Sequence, residues 1–369
     1  MPEPTANTAG EGADKELFGI RGSRVKRTNN YKIVTASQPS QSNSMAVNQD
    51  GTDYSYFSTL KFGSSGESLY MLVDTGAANT WVMGSDCTSR ACNAHNTFGQ
   101  ANSGTLQITN TPWDVTYGTG KVSGVVVNDT VSLAGYTLPI AFGSASETSD
   151  DFLTYPMDGI LGLGRPKSNV MGVPTVIEAL ESAQLLKAKL LGINLQRNAD
   201  GATDGEVNFG AVDSSKFTGD LSYTASVSHD GLWEVPVDDA GVDNVGCKFS
   251  GKTAIIDTGT SFVLMPPDDA QKLLTQIPKS RQNGESFNIP CSSTVAVQFT
   301  FSGVTYNVSA KDYLGKTIDG GNMCASNIIG RQTFGANQWL MGDAFLKNVY
   351  TVFDFDKDRI GKHLCTTHS

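Results

Sequence analysis

Two stretches of the chain carry one chemistry-bearing phrase: VDTGAANTW at 73–81 and IDTGTSFVL at 256–264. In each, an apolar pair (Leu72-Val73, Ile255-Ile256) precedes the aspartate and places it at the end of a buried strand. The glycine that follows lets the chain turn sharply and another backbone approach. A single copy is explained by a buried turn whose Asp bonds local amides. Two copies in matched contexts point to a shared purpose. If Asp74 and Asp257 meet in a dry site about 3 Å apart, they cannot both ionise cheaply, so they hold one proton and titrate as a pair. Such a pair can hydrolyse an amide without a metal or a covalent intermediate. The ionised partner draws a proton from water, the protonated partner supports the carbonyl oxygen as it becomes a gem-diol, and protons then pass to the leaving nitrogen. Ser-His-Asp and Cys-His catalysis find little support, because His95, His229, His363 and His368 sit in polar segments near no nucleophile motif.

The repeat is broader than the aspartates. Ile160-Leu161-Gly162 follows the first phrase and Leu340-Met341-Gly342 the second. The period is too long for a solenoid, and two homologous lobes, each giving one Asp, are the economical explanation. The elements that must position them are strands. Short β-branched and aromatic runs such as YSYFSTLKF, SLYMLVDTG, WDVTYGTG and VSGVVVNDTVSLAG alternate with Gly, Asn and Ser, and Gly totals 39 of 369 residues. The clearest helical run is TVIEALESAQLLKAKLL at 175–191. The expected class is therefore all-β.

A net charge of −10 and a pI near 4.9 argue against nucleic acid as partner. No run approaches the roughly 18–20 apolar residues of a membrane helix, and neither metal nor other cofactor is expected. Residues 1–42 are polar and read as a leader, with six basic side chains and one acid between 15 and 32. The opening MPEPTANTAGEGADKE has no charged start or apolar core and is not a signal peptide. Yet six cysteines in no metal spacing and two sequons, at Asn128 and Asn307, look secretory. The expectation is a secreted or vacuolar protein whose signal has been removed, with Met1 a start codon.

The chain resembles the pepsin-like aspartic proteases (pepsin family A1), of secreted fungal type and in zymogen form, over about residues 50–364. VDTGAANTW and IDTGTS resemble the two catalytic signatures, and VTYGTGKVSG at 115–124 resembles the β-hairpin flap. DGILGLG at 158–164 and WLMGDAFLKNVYTVFDFD at 339–356 resemble the segments bracing each catalytic loop, and FGAVDSSKFTGDLSY at 209–223 the crossing between lobes. The resemblance implies a bilobal fold: a leader at 1–42 acting as propeptide, an N-terminal lobe at 43–215 and a C-terminal lobe at 216–369, with the cleft between lobes.

Carried over by position, Asp74 and Asp257 become the dyad and Thr75 and Thr258 the buried hydroxyls locking the loops. Gly76 and Gly259 become the backbone nearest substrate, and Thr260 the donor to the outer oxygen of Asp257. At Ala77 the usual Ser or Thr is missing. Tyr117, Gly118 and Thr119 form the flap tip, with Trp81 the hydrogen-bond partner of Tyr117. Leu72, Tyr117, Phe152, Met157 and Ile160 wall the pocket on the amino side of the cut, although each except Tyr117 reads first as a core residue and only then as a specificity determinant. Cys87–Cys92 and Cys291–Cys324 resemble family disulfides. Cys247 and Cys365 remain, and they either pair, as parity suggests, or stay free thiols.

The implied activity is acid endopeptidase, cutting between apolar or aromatic residues, monomeric, and blocked by pepstatin-type inhibitors. The basic stretch is either a solvated tail or an inhibitory propeptide reaching the dyad, with Lys26-Arg27 a processing site. Two other classes compete. A catalytically inactive binding or inhibitor protein should have lost an Asp, a Gly or the flap Tyr. A glycosidase also needs paired acids but neither the duplicated loops nor a flap.

Overall fold

The computed structural model describes residues 32–365. Their strands form five sheets, of eight, six, five, four and four strands, and the three largest position the site. An eight-stranded sheet places its strands in the order Asn48–Gln49, Tyr56–Phe62, Glu67–Asp74, Gly159–Gly162, Trp81–Met83, Tyr136–Thr148, Lys121–Leu133 and Gln107–Thr116. A five-stranded sheet repeats the same core arrangement later in the chain. There Lys252–Ile256 lies parallel to Gln338–Met341, which runs antiparallel to Val263–Met265. In the first sheet Glu67–Asp74 lies parallel to Gly159–Gly162, which runs antiparallel to Trp81–Met83. A six-stranded sheet joins the two, with Ser44–Ala46, Leu190–Asn194 and Glu206–Phe209 beside Ser222–Ala225, Val349–Asp354 and Arg359–Leu364.

This duplicated unit explains the second half of each sequence repeat. The apolar-apolar-Gly strand threads between the aspartate strand and the strand that follows its loop. Its glycine lies against the loop backbone: a Cβ at Gly162 would come within 2.6 Å of the Ala78 carbonyl carbon, and one at Gly342 within 2.0 Å of the Thr260 oxygen. No side chain fits there. The strands meet over a core of fully buried aromatics, including Trp233, Trp339, Tyr56, Phe57, Phe62 and Phe142.

The helical run at 175–191 forms a helix only over Val176–Ser182. Thr175 and Glu178 close a capping box at its start. Gln184 then takes a left-handed φ of 58°, and Leu190 is already in the six-stranded sheet, pairing with Asp354. Pairing in the sheet overrides the propensity of the Leu-Lys-Ala run. Most of the leader, residues 1–31, lies outside the described residues. Val34 exchanges two backbone hydrogen bonds with Gln49, Ser37 N–H donates to the Thr203 carbonyl at 2.6 Å, and Ala36 is buried. The chain is thus tied to the body from Val34 onward.

Cys87–Cys92 and Cys291–Cys324 are disulfides. Cys247 and Cys365 are not joined, which corrects the tentative pairing. Cys247 follows a short strand and faces the helix Pro267–Leu274, where its sulfur meets the Lys272 carbonyl and Gln276. Cys365 ends the six-stranded sheet, bridged to Phe217, with its thiol on Asn194. They belong to different layers of the fold.

Glu206, opposite Ala46 in the six-stranded sheet, is 3% exposed. Burial pushes its carboxyl up to about 7; Asn208 and Lys216 oppose the shift, and the neighbouring Asp213 adds to it. The unfolded chain ionises this group first as pH rises, so its cost to folding grows from about pH 4.5 and is complete above about pH 7. Glu206→Gln should therefore stabilise the protein by about 1–2 kcal/mol at pH 7.5, allowing for solvent screening, and leave stability at pH 4 unchanged. Urea midpoints at the two pH values check this.

Candidate active site

The two aspartate loops meet at the seam between the sheets. Thr75 and Thr258 interlock them: each backbone N–H donates to the other's hydroxyl at 3.1 Å. Each hydroxyl donates onward to the opposite strand, Thr75 to the Ile256 carbonyl at 3.2 Å and Thr258 to that of Val73 at 2.7 Å. Both threonines are 1% exposed. In this dry setting all four bonds are satisfied, and removal of either hydroxyl would strand a buried amide.

Across this lock the carboxylates face each other. The Gly76 N–H donates to Asp74 Oδ1 at 2.9 Å and also to Asp257 Oδ1 at 3.1 Å, so one amide touches both lobes' acids. Ala77 N–H adds a bond to Asp74 Oδ1 at 2.9 Å. Gly259 N–H donates to Asp257 Oδ1 at 2.8 Å and the Thr260 hydroxyl to Asp257 Oδ2 at 2.6 Å. The approach is too close for a side chain on either glycine. A Cβ on Gly76 would stand 2.6 Å from Asp257 Oδ1, and one on Gly259 2.5 Å from Asp74 Cγ. Burial, and then the charge of Asp257, hold the Asp74 carboxyl well above the ordinary carboxylate range, and the two side chains hydrogen-bond. The Ala77 and Gly76 amides oppose that shift.

The hairpin Gln107–Thr116 and Lys121–Leu133 turns at 117–120, closed by Tyr117 N–H donating to the Gly120 carbonyl at 3.0 Å. Gly120 has φ +92°, and its missing side chain leaves room for the Phe152 ring. The Trp81 indole N–H donates to the Tyr117 hydroxyl at 2.8 Å, and Phe152 stands edge-on to both rings. Burial, and next the charge of Asp74, raise the Tyr117 hydroxyl above its usual value. The tyrosine therefore hangs over the dyad, fixed by Trp81.

Beneath it lies a cleft with about 450 Å³ of empty space. Of the residues singled out from sequence, Leu72, Asp74, Tyr117, Thr119, Phe152, Met157, Ile160, Thr258 and Gly259 line it. Gly118 meets no atom on its open side. Tyr54, Ser55, Tyr155 and Asp343 also line the cleft and went unforeseen. Asp343 follows Gly342 where the first lobe has Leu163 after Gly162, so the repeat that revealed the aspartates hid it. Burial raises its carboxyl well above the ordinary range; Lys347 opposes that shift and Asp257 adds to it.

The family model described as eukaryotic aspartyl protease matches residues 55–363. The aspartic-type endopeptidase ctsD of Aspergillus fumigatus is 48% identical over 339 residues, covering 91% of this chain and 71% of its own. A protein of Arthroderma benhamiae named "Probable aspartic-type endopeptidase CTSD" is 50% identical over 339 residues, 92% of this chain and 66% of its own. The chain thus spans just under two thirds of that relative's length. Pepsin A of Sus scrofa is 33% identical over 318 residues, 84% of this chain and 81% of its own.

Proposed function

The chain belongs to the eukaryotic aspartyl protease family, and from that premise we propose that it is an aspartic endopeptidase, how it hydrolyses peptide bonds and where it works. Asp74 and Asp257 are the catalytic pair. The observation that carries this is the single Gly76 amide reaching carboxylate oxygens of both loops. Asp74 and Asp257, buried side by side and bonded to each other, hold one proton between them and titrate as a pair. A water between them loses a proton to the ionised partner and attacks the scissile carbonyl. The protonated partner donates to the developing oxygen, and the proton taken from water passes to the leaving nitrogen. Tyr117 closes over the extended substrate, and the apolar wall of Leu72, Phe152, Met157 and Ile160 favours apolar or aromatic residues on the amino side of the cut. An inactive binding role finds no support, since both aspartates, both glycines and the flap tyrosine are in place. Haemoglobin digestion at pH 3–4 tests the reading: cleavage abolished by pepstatin supports it, and pepstatin-resistant cleavage or none refutes it.

Lobes at 43–215 and 216–369 fit the two duplicated sheet units. The propeptide comprises the basic leader, with its cut ahead of Val34, where the chain joins the body. The protein acts as a monomer in an oxidising compartment, secreted or vacuolar. Two disulfides support this, as does the exposed sequon Asn307; Asn128 is half-buried. Among the described residues no helix is long and apolar enough to cross a membrane.

Ala77 has a consequence for pH. Thr260 gives Asp257 a hydroxyl at 2.6 Å, whereas Ala77 offers Asp74 only its amide. A hydroxyl bonded to a carboxylate favours the charged form. Ala77→Ser should therefore move the acid limb of the pH–rate profile down by roughly half a unit to one unit. Profiles of both enzymes on one peptide check it, and an unchanged acid limb discards the idea.

A further inference from the structure

We propose that His95 is a protonation-dependent latch that positions one wall of the substrate pocket, so that the pocket is firm in acid and slackens toward neutral pH. The proposal rests on the endopeptidase reading above and adds a positioning residue to it.

His95 follows the helix Arg90–Ala94, just beyond the loop closed by Cys87–Cys92, and is 7% exposed. Its ring reaches two backbone oxygens. Nδ1 lies 2.8 Å from the Ala91 carbonyl and Nε2 2.6 Å from the Tyr155 carbonyl. Carbonyl oxygens only accept, and a neutral imidazole carries a single N–H. The neutral ring would set a lone pair against one of these oxygens. The imidazolium donates to both.

The second oxygen belongs to the pocket. Tyr155 lies between the 3-10 turn Asp150–Thr154 and the strand Gly159–Gly162, and this stretch supplies Phe152, Tyr155 and Met157 to the cleft. Its ends are held by the backbone: Phe152 N–H donates to the Ser149 carbonyl at 3.3 Å and Asp158 N–H to that of Tyr70 at 2.7 Å. His95 holds the middle. Asn96 continues the contact, its N–H donating to Asp158 Oδ1 at 2.8 Å.

The titratable groups on the elements packed around the ring are Asp158, Asp151, Glu147, Tyr155 and the Arg90–Asp150 ion pair. Asp158 interacts with it electrostatically, and it also accepts from Tyr70 N–H and from both Asn96 nitrogens. A histidine ordinarily changes charge between about pH 5 and 8. With the ring protonated the latch is closed. When the proton leaves, one donor is lost, and a hydrogen bond from a charged group is enough to move an equilibrium by about tenfold or more.

The test uses the full chain, after acid activation, and a peptide with phenylalanine before the scissile bond. Wild-type KM should rise about tenfold from pH 4.5 to 7, beyond the change in kcat that the aspartate pair imposes. His95→Gln, which can donate to one carbonyl at every pH, should show a high KM already at pH 4.5 and little change thereafter. Nitrogen-15 NMR of the wild-type ring should show both nitrogens protonated at pH 4.5, with the Tyr155 and Met157 amides shifting as the ring loses its proton. The latch is overturned if the variant keeps the wild-type pH dependence of KM, or if the ring carries one N–H throughout. Should no peptide be cut at any pH, the endopeptidase reading fails, while the NMR titration still decides the latch; it also decides if the variant does not fold.

Discussion

Asp257→Asn is expected to lower kcat by roughly 10⁴-fold or more at the optimal pH, with KM changed only a few-fold, and Asp74→Asn to do the same. Asparagine keeps the volume of the side chain and an oxygen for the Gly76 and Gly259 amides to reach. It cannot take a proton from water or return one to the leaving nitrogen. General acid–base catalysis by one group is worth about 10²–10⁴-fold, and here one substitution removes both the base and the partner that keeps the other acid protonated. Folding should be spared. Each variant removes a buried like-charge contact, so thermal stability at neutral pH should hold or rise. Peptide hydrolysis beside circular dichroism checks both parts; a folded variant with more than a tenth of wild-type kcat contradicts the assignment.

Asp312→Asn is expected to cost about 3–5 kcal/mol of stability, the range for breaking a buried ion pair from one side. Asp312 and Arg197 are 0% and 1% exposed. The guanidinium binds Asp312 through Nε at 3.0 Å and Nη2 at 2.6 Å, and its Nη1 reaches Asp200 at 2.6 Å. Lys347 joins Asp312 at 3.0 Å and lies 3.7 Å from Asp53. Asp53, Arg197 and Asp200 lie far from Asp312 and Lys347 along the chain, with Arg197 115 residues before Asp312, so the cluster welds distant segments together. Asparagine at 312 leaves Arg197 and Lys347 sharing too little negative charge in a buried space. Denaturant midpoints measure the loss. A change below about 1 kcal/mol would mean that the cluster is better solvated than its burial indicates.

The site was legible where chemistry forces a repeat. Each lobe must build the same tight loop around one acid, so Asp-Thr-Gly and the bracing apolar-apolar-Gly recur, and glycine is dictated by contacts of 2.0–2.6 Å. The flap was legible because Tyr117 between polar and glycine residues makes a poor core position. The welding cluster was not, because Arg197 and Asp312 are 115 residues apart and follow no period. Asp343 escaped for want of a counterpart in the first lobe. The helix was read too long at 191 because propensity is local, whereas the pairing of Leu190 with Asp354 is not. The parity of Cys247 and Cys365 misled because an even count carries no distance.

The most direct test of the central claim is the pH dependence of kcat/KM for one peptide from pH 2 to 8. Two carboxyl groups holding a single proton between them require a bell, falling on the acid side when both are protonated and on the neutral side when both are ionised. A profile with one limb only, flat to the lowest pH at which the protein stays folded or flat through neutrality, would contradict a pair formed by Asp74 and Asp257.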